Sequence, residues 1–142
     1  MTADAEHPED PVHDLTERFT AALHHLDAES DAQPMVDLTA EDARLVKLNQ
    51  THEARGRDGA QRFWEDYRHV FGELETTFTS STVGEKTAAL EWESTGTLSS
   101  GKPFSYTGVT VIESDGSDNE LVTGVRTYYD SAAFIQETAD TA

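Results

Sequence analysis

Apolar residues recur near the start of the chain at spacings of three and four. Val12, Leu15, Phe19, Leu23 and Leu26 form one such series, a single stripe on an amphipathic helix that ends near Asp27. Asp10-Pro11 opens it, with an N-capping side chain followed by a ring whose φ is already helical. Pro34, with Met35, Val36 and Leu38, predicts a second, short helix. Residues 43–49, ARLVKLN, read as a first strand, and the following QTHEARGRDG reads as a loop. Ala60, Phe63, Trp64, Tyr67, Val70 and Phe71 then carry the clearest helical periodicity in the chain.

After Gly72 the period drops from near four to two. Leu74, Thr76 and Phe78 open one strand, and further strands are predicted over 87–98, 103–113 and 120–129. SSGK and SDGSDN supply turns between them. Helices followed by a run of hairpin-linked strands predict an α+β fold, with helices on one face of an antiparallel sheet.

Composition narrows the function classes. The chain of 142 residues has no cysteine, which removes disulfides, thiolate catalysis and cysteine-ligated zinc. Its 28 acids stand against 10 bases, for a net charge of −18, and Lys47, Lys86 and Lys102 are the only lysines. Such a field repels nucleic acid and anionic lipid, so neither is an expected partner. Two readings fit the acid excess: an ordinary soluble surface, or one adapted to concentrated salt that screens its self-repulsion. No apolar run approaches the ~20 residues of a membrane span. The N-terminus lacks a basic segment followed by an apolar one, so no signal peptide is expected and the cytoplasm is the default location. Residues 1–11 are expected to be a disordered acidic segment, 12–135 one domain and 136–142 a flexible tail.

The element order, with ALEWESTGTLSSGKPFSY (89–106), YTGVTVIESDG (106–116) and GVRTYYDSAAF (124–134), resembles the nuclear-transport-factor-2-like superfamily and its SnoaL-like branch. The likeness covers roughly residues 12–135. It implies a cystatin-like α+β fold, in which a curved antiparallel, mixed-edge sheet wraps N-terminal helices into a cone-shaped pocket. The superfamily includes ketosteroid isomerases, epoxide hydrolases, polyketide cyclases, scytalone dehydratases and binding domains without activity, so the resemblance carries fold rather than reaction.

Within that frame the candidate pocket lining is Phe63, Trp64, Tyr67, Trp92, Tyr106, Thr127 and Tyr129, each of which also suits an ordinary core. In strand 120–129, Leu121, Thr123, Val125, Thr127 and Tyr129 share one face, expected to look into the cone. Val122, Gly124, Arg126, Tyr128 and Asp130 share the other, expected to look away. The epoxide-hydrolase branch resembles this segment but has an aspartate where Thr127 stands, and a threonine hydroxyl cannot replace that base. The ending RTYYD therefore reads as the close of a sheet, with Asp130 capping the SAAF turn. The isomerase branch places an acid in its first strand, where ARLVKLN has none.

Three residues remain as candidate acids or bases. Glu91 and Glu93 share one face of their strand, roughly 7 Å apart, and would form an acid/base pair if that face met the cone. Alternation with Ala88, Leu90 and Trp92 favours the opposite orientation. His52, in the loop before the main helix, could act near neutral pH, or be solvated. His24, His25 and His69 make no metal-binding spacing, and no glycine motif for a nucleotide is present, so neither metal nor cofactor is expected. The reading is a domain that binds a small hydrophobic molecule. The alternatives are an isomerase, dehydratase or cyclase using Glu91 or Glu93, and a purely structural or interaction module. A homodimer is expected through the outer face of the sheet, with Arg126 and Tyr128 near the interface.

Overall fold

A computed structural model of the protein describes residues 11–48, 53–115 and 120–134. Helix α1 spans Pro11–Glu29, α2 Gln33–Asp37 and α3 Gly56–His69. The strands are β1 (Thr39–Lys47), β2 (Ala54–Arg55), β3 (Phe71–Val83), β4 (Thr87–Leu98), β5 (Pro103–Ser114) and β6 (Val122–Tyr129). The segments expected to be disordered at 1–11 and flexible at 136–142 lie almost wholly outside the described residues.

The periodic stripe of α1 becomes its buried face. Val12, Leu15, Phe19 and Leu26 are almost completely covered, and burying each side chain contributes roughly 1.5–3 kcal/mol. Ser30 closes the helix in the left-handed conformation (φ 58°), with its amide returning to the Leu26 carbonyl.

The six strands form one sheet in the order β2-β1-β6-β5-β4-β3. β3 to β6 are an antiparallel meander, and β1 joins its edge parallel to β6. This mixed sheet packed against helices is the expected α+β architecture. Two details differ from the sequence reading. β1 begins at Thr39 rather than 43, and the presumed loop contains β2, which pairs with Arg44 and Leu45 before α3 starts at Gly56. Short strands with mixed polarity leave no alternation to detect, so pairing alone defines them.

Side chains of the sheet alternate as its pleat requires. Ala88, Leu90, Trp92 and Ser94 of β4 point inward, as do Phe104, Tyr106, Thr110 and Ile112 of β5. An aliphatic core fills one end between α1, α2 and the sheet, centred on Leu15, Leu26, Leu45, Leu90 and Ile112. The other end holds an aromatic cluster of Phe71, Trp92, Phe104 and Tyr106.

Candidate functional site

Between these two clusters lies a cavity of about 780 Å³, within the size range of small-molecule sites. Its aromatic wall draws on several elements, with Phe19 from α1 and Tyr129 from β6 among them. Trp64 and Tyr67 project from α3, Phe71 starts β3, Trp92 lies on β4 and Tyr106 on β5. The Tyr106 ring stacks against Phe71 at 5.8 Å between centroids and meets Trp92 edge-on at 5.0 Å and Tyr129 edge-on at 5.5 Å. The exposed side chains of Glu53, Arg55, Asp58, Arg62 and Asp66 line the cavity where it meets solvent.

The end of β6 contributes through a cap. The Asp130 carboxylate accepts a hydrogen bond from the Ala132 amide at 3.0 Å, and the Phe134 amide returns to the Ser131 carbonyl. That turn lays Phe134 over the cluster, 5.1 Å from Tyr106 and 5.7 Å from Tyr129. RTYYD thus closes the sheet and seats an aromatic on the cavity.

Away from the charged mouth, the hydrogen-bonded polar groups fall into two sets. Trp92 Nε1 donates to Thr110 Oγ1 at 2.9 Å, and the Thr110 and Thr127 hydroxyls are hydrogen-bonded to each other at 2.9 Å. On the wall made by α3, β3 and β4, the hydroxyls of Thr76 and Ser94 are bonded at 2.8 Å. The Tyr67 hydroxyl there donates to Oδ1 of Asp27 at 2.9 Å. Asp27 is 3% exposed, and its Oδ2 has no hydrogen-bond partner among the described residues. Burial raises its pKa above the ordinary carboxylate value, opposed by the nearby Thr76 and Tyr67 hydroxyls and by the charges of Arg68 and His24. Burial also raises Tyr67, Tyr106 and Tyr129, so all three phenols stay protonated at neutral pH. The hydroxyls of Tyr106 and Tyr129 have no protein partner among the described residues and are open to a ligand.

Residues 16–121 match the SnoaL-like domain. The chain belongs to the SnoaL-like family. Solved structures agree on the fold. A nuclear-transport-factor-2-like protein from Anabaena variabilis superposes with a TM-score of 0.76 at 17% identity, covering 88% of this chain and 93% of its own. TerC, crystallised with polyporic acid, gives 0.72 at 14% identity over 89% and 96% of the two chains. A Catenulispora acidiphila protein with a ketosteroid-isomerase-like fold, solved with trimethylamine, gives 0.69 at 16% identity over 81% and 87%. The sequence matches no curated protein.

This SnoaL-like chain brings together every aromatic expected to line its cone: Phe63, Trp64, Tyr67, Trp92, Tyr106 and Tyr129 all border the cavity, with Thr127 beside them. Glu91 and Glu93 are elsewhere. Both are exposed on the outer face, because the pleat that turns Leu90, Trp92 and Ser94 inward turns them out. No carboxylate pair from β4 therefore meets the cavity. His52 lies outside the described residues. Among the described residues no group of His, Asp and Glu converges in a metal-holding arrangement, and no helix is long and apolar enough to cross a membrane. One face assignment is corrected in β6: Val122 is buried in the core rather than outward. The β5–β6 pairing slips between Glu113 and Ser114, which turns Val122 inward, while Gly124 keeps the outer face and is buried there by the Glu113 side chain. Sequence reading missed Asp27, Phe71, Ser94, Thr110 and Phe134. For Asp27 a signal existed: it continues the spacing of four set by Leu15, Phe19 and Leu23, an acid on an apolar stripe.

Proposed function

We propose that the protein binds a small, largely apolar aromatic molecule in the cone, as a homodimer in the cytoplasm. The carrying observation is the 780 Å³ cavity walled by aromatic rings and bearing two phenols, Tyr106 and Tyr129, without protein partners among the described residues. Rings supply stacking surface, and the hydroxyls orient a polar substituent. TerC with polyporic acid and the Catenulispora protein with trimethylamine are proteins of this fold that accommodate small organic molecules. Acid–base turnover through Glu91 or Glu93 gains no support from their outward position.

The test uses the protein's own fluorescence. Its 2 tryptophans, Trp64 and Trp92, both border the cavity. 2-Naphthol should quench them saturably with one site per chain and a Kd of about 0.1–1 mM, the range for a ligand of this size. A linear, unsaturable response over that range refutes the reading.

A further inference from the structure

The cavity wall between α3 and β3 has a fixed hydrogen-bond polarity. Tyr67 has one proton, and it goes to Asp27 at 2.9 Å, away from any ligand. A phenol oxygen has two lone pairs; here the Thr76 hydroxyl hydrogen-bonds to one, which leaves the other for a ligand. Asp27 cannot release that proton cheaply. Its carboxylate is buried and its Oδ2 is already without a partner among the described residues, so losing the bond to Tyr67 would leave a desolvated carboxylate with the Thr76 hydroxyl as its remaining side-chain donor. Burial disfavours its ionised form, while the Thr76 and Tyr67 hydrogen bonds and the Arg68 charge on α3 favour it; in either form the carboxyl oxygen that faces Tyr67 accepts. The Arg68 guanidinium also donates to the Asp27 backbone carbonyl at 3.2 Å, which ties α3 to the end of α1 beside the pair. The opposite wall runs the other way. Trp92 commits its proton to Thr110, one hydroxyl proton is spent on the bond between Thr110 and Thr127, and the other is left to donate, the bond from Thr127 to the Val109 carbonyl being long at 3.5 Å.

We infer that Asp27 is a positioning residue that makes the Tyr67 hydroxyl an acceptor, so that this wall selects ligands presenting an O–H or N–H donor. The inference rests on the binding reading above and adds which substituent is recognised. Asp27 touches no ligand itself; it acts by orienting Tyr67, which borders the cavity.

Two probes of nearly equal shape separate these ideas: 2-naphthol, which donates and accepts, and 2-methoxynaphthalene, which only accepts. Donors such as Tyr106 and Tyr129 can serve either probe, so the ratio of the two affinities reports the accepting groups. The wild-type protein should bind naphthol about tenfold more tightly, the worth of one hydrogen bond to a well-oriented acceptor. Asp27→Leu frees the Tyr67 proton, and Tyr67→Phe removes the oxygen; each should cut the ratio at least about threefold. Asp27→Asn keeps an accepting oxygen and should preserve it. A general loosening of the fold would weaken both probes together and leave the ratio unchanged. An equal affinity for both probes in the wild type overturns the inference while leaving the binding reading intact. So does a ratio that survives Tyr67→Phe, which stands as the second variant should Asp27→Leu not fold. Failure of both probes to bind removes the binding reading, and this inference with it.

Discussion

Replacing Gly108 with alanine should strike the fold and the cavity together. Gly108 lies on β5, paired with Trp92 of β4 on one side and Tyr129 of β6 on the other. A Cβ at this position would stand 2.6 and 2.8 Å from Cζ2 and Cη2 of the Trp92 ring and closer still to the Tyr128 carbonyl oxygen. The carbonyl is part of the sheet and cannot retreat. The indole is packed against Tyr106 and anchored by its bond to Thr110. Overpacking of this kind costs about 1–3 kcal/mol, and loss of the buried Trp92–Thr110 bond adds about 1 kcal/mol. Alanine returns up to ~1 kcal/mol by restricting the unfolded chain, leaving a net loss of about 1–3 kcal/mol. With an unfolding entropy of roughly 0.3 kcal/mol/K for a chain of this length, Tm should fall by about 3–10 °C. The tryptophan emission of the folded state should shift as well, since Trp92 must move. Gly101→Ala is the control. Gly101 adopts φ 94° with open space where a Cβ would go, so alanine meets backbone strain of about 1 kcal/mol and no clash. It should lower Tm by about 3 °C and leave the emission unaltered. A Gly108→Ala protein that melts within about 2 °C of wild type, with unchanged emission, would show that Trp92 is not held as described.

Three further outcomes are expected. Glu91→Gln and Glu93→Gln should each leave 2-naphthol affinity within about twofold and stability within about 0.5 kcal/mol, as for surface sites, and a tenfold loss of affinity would return a β4 carboxylate to the site. Raising KCl from 0.1 to 1 M shortens the Debye length from ~10 to ~3 Å, so the −18 chain should gain several degrees in Tm; a flat melting curve would count against adaptation to salt. Light scattering should give the mass of two chains, with Tyr128, 41% exposed beside the Arg126–Glu113 pair on the outer face, near the contact. A monomer at high salt refutes that assembly.

The fold was legible because each long element announces its own period. α1 and α3 bury stripes spaced at three and four, and β4 spans the very residues, 87–98, over which apolar side chains alternate. β2 was hidden because two residues carry no period, and the start of β1 because its polar Glu41 and Asp42 interrupt the alternation.

The site was legible only in its apolar half. Aromatic residues at inward positions must border whatever space the cone leaves, so Trp92, Tyr106 and Tyr129 follow from pleat and helix period alone. The polar half does not follow, because a serine or threonine at an inward position gives the same pattern whether or not it finds a partner. Ser94 differs from an exposed serine only because Thr76 of the neighbouring strand stands 2.8 Å away, and Thr110 only because Trp92 and Thr127 flank it. Those partners lie at least 17 residues distant in the chain, and register brings them together. Asp27 is the limiting case. Its position on the α1 stripe forecasts burial, and burial of an acid demands a donor. The donor is Tyr67, 40 residues away on another helix. An acid on an apolar stripe thus tells the reader to look for a buried partner, and the tertiary fold decides which hydroxyl that partner is and which way its proton points.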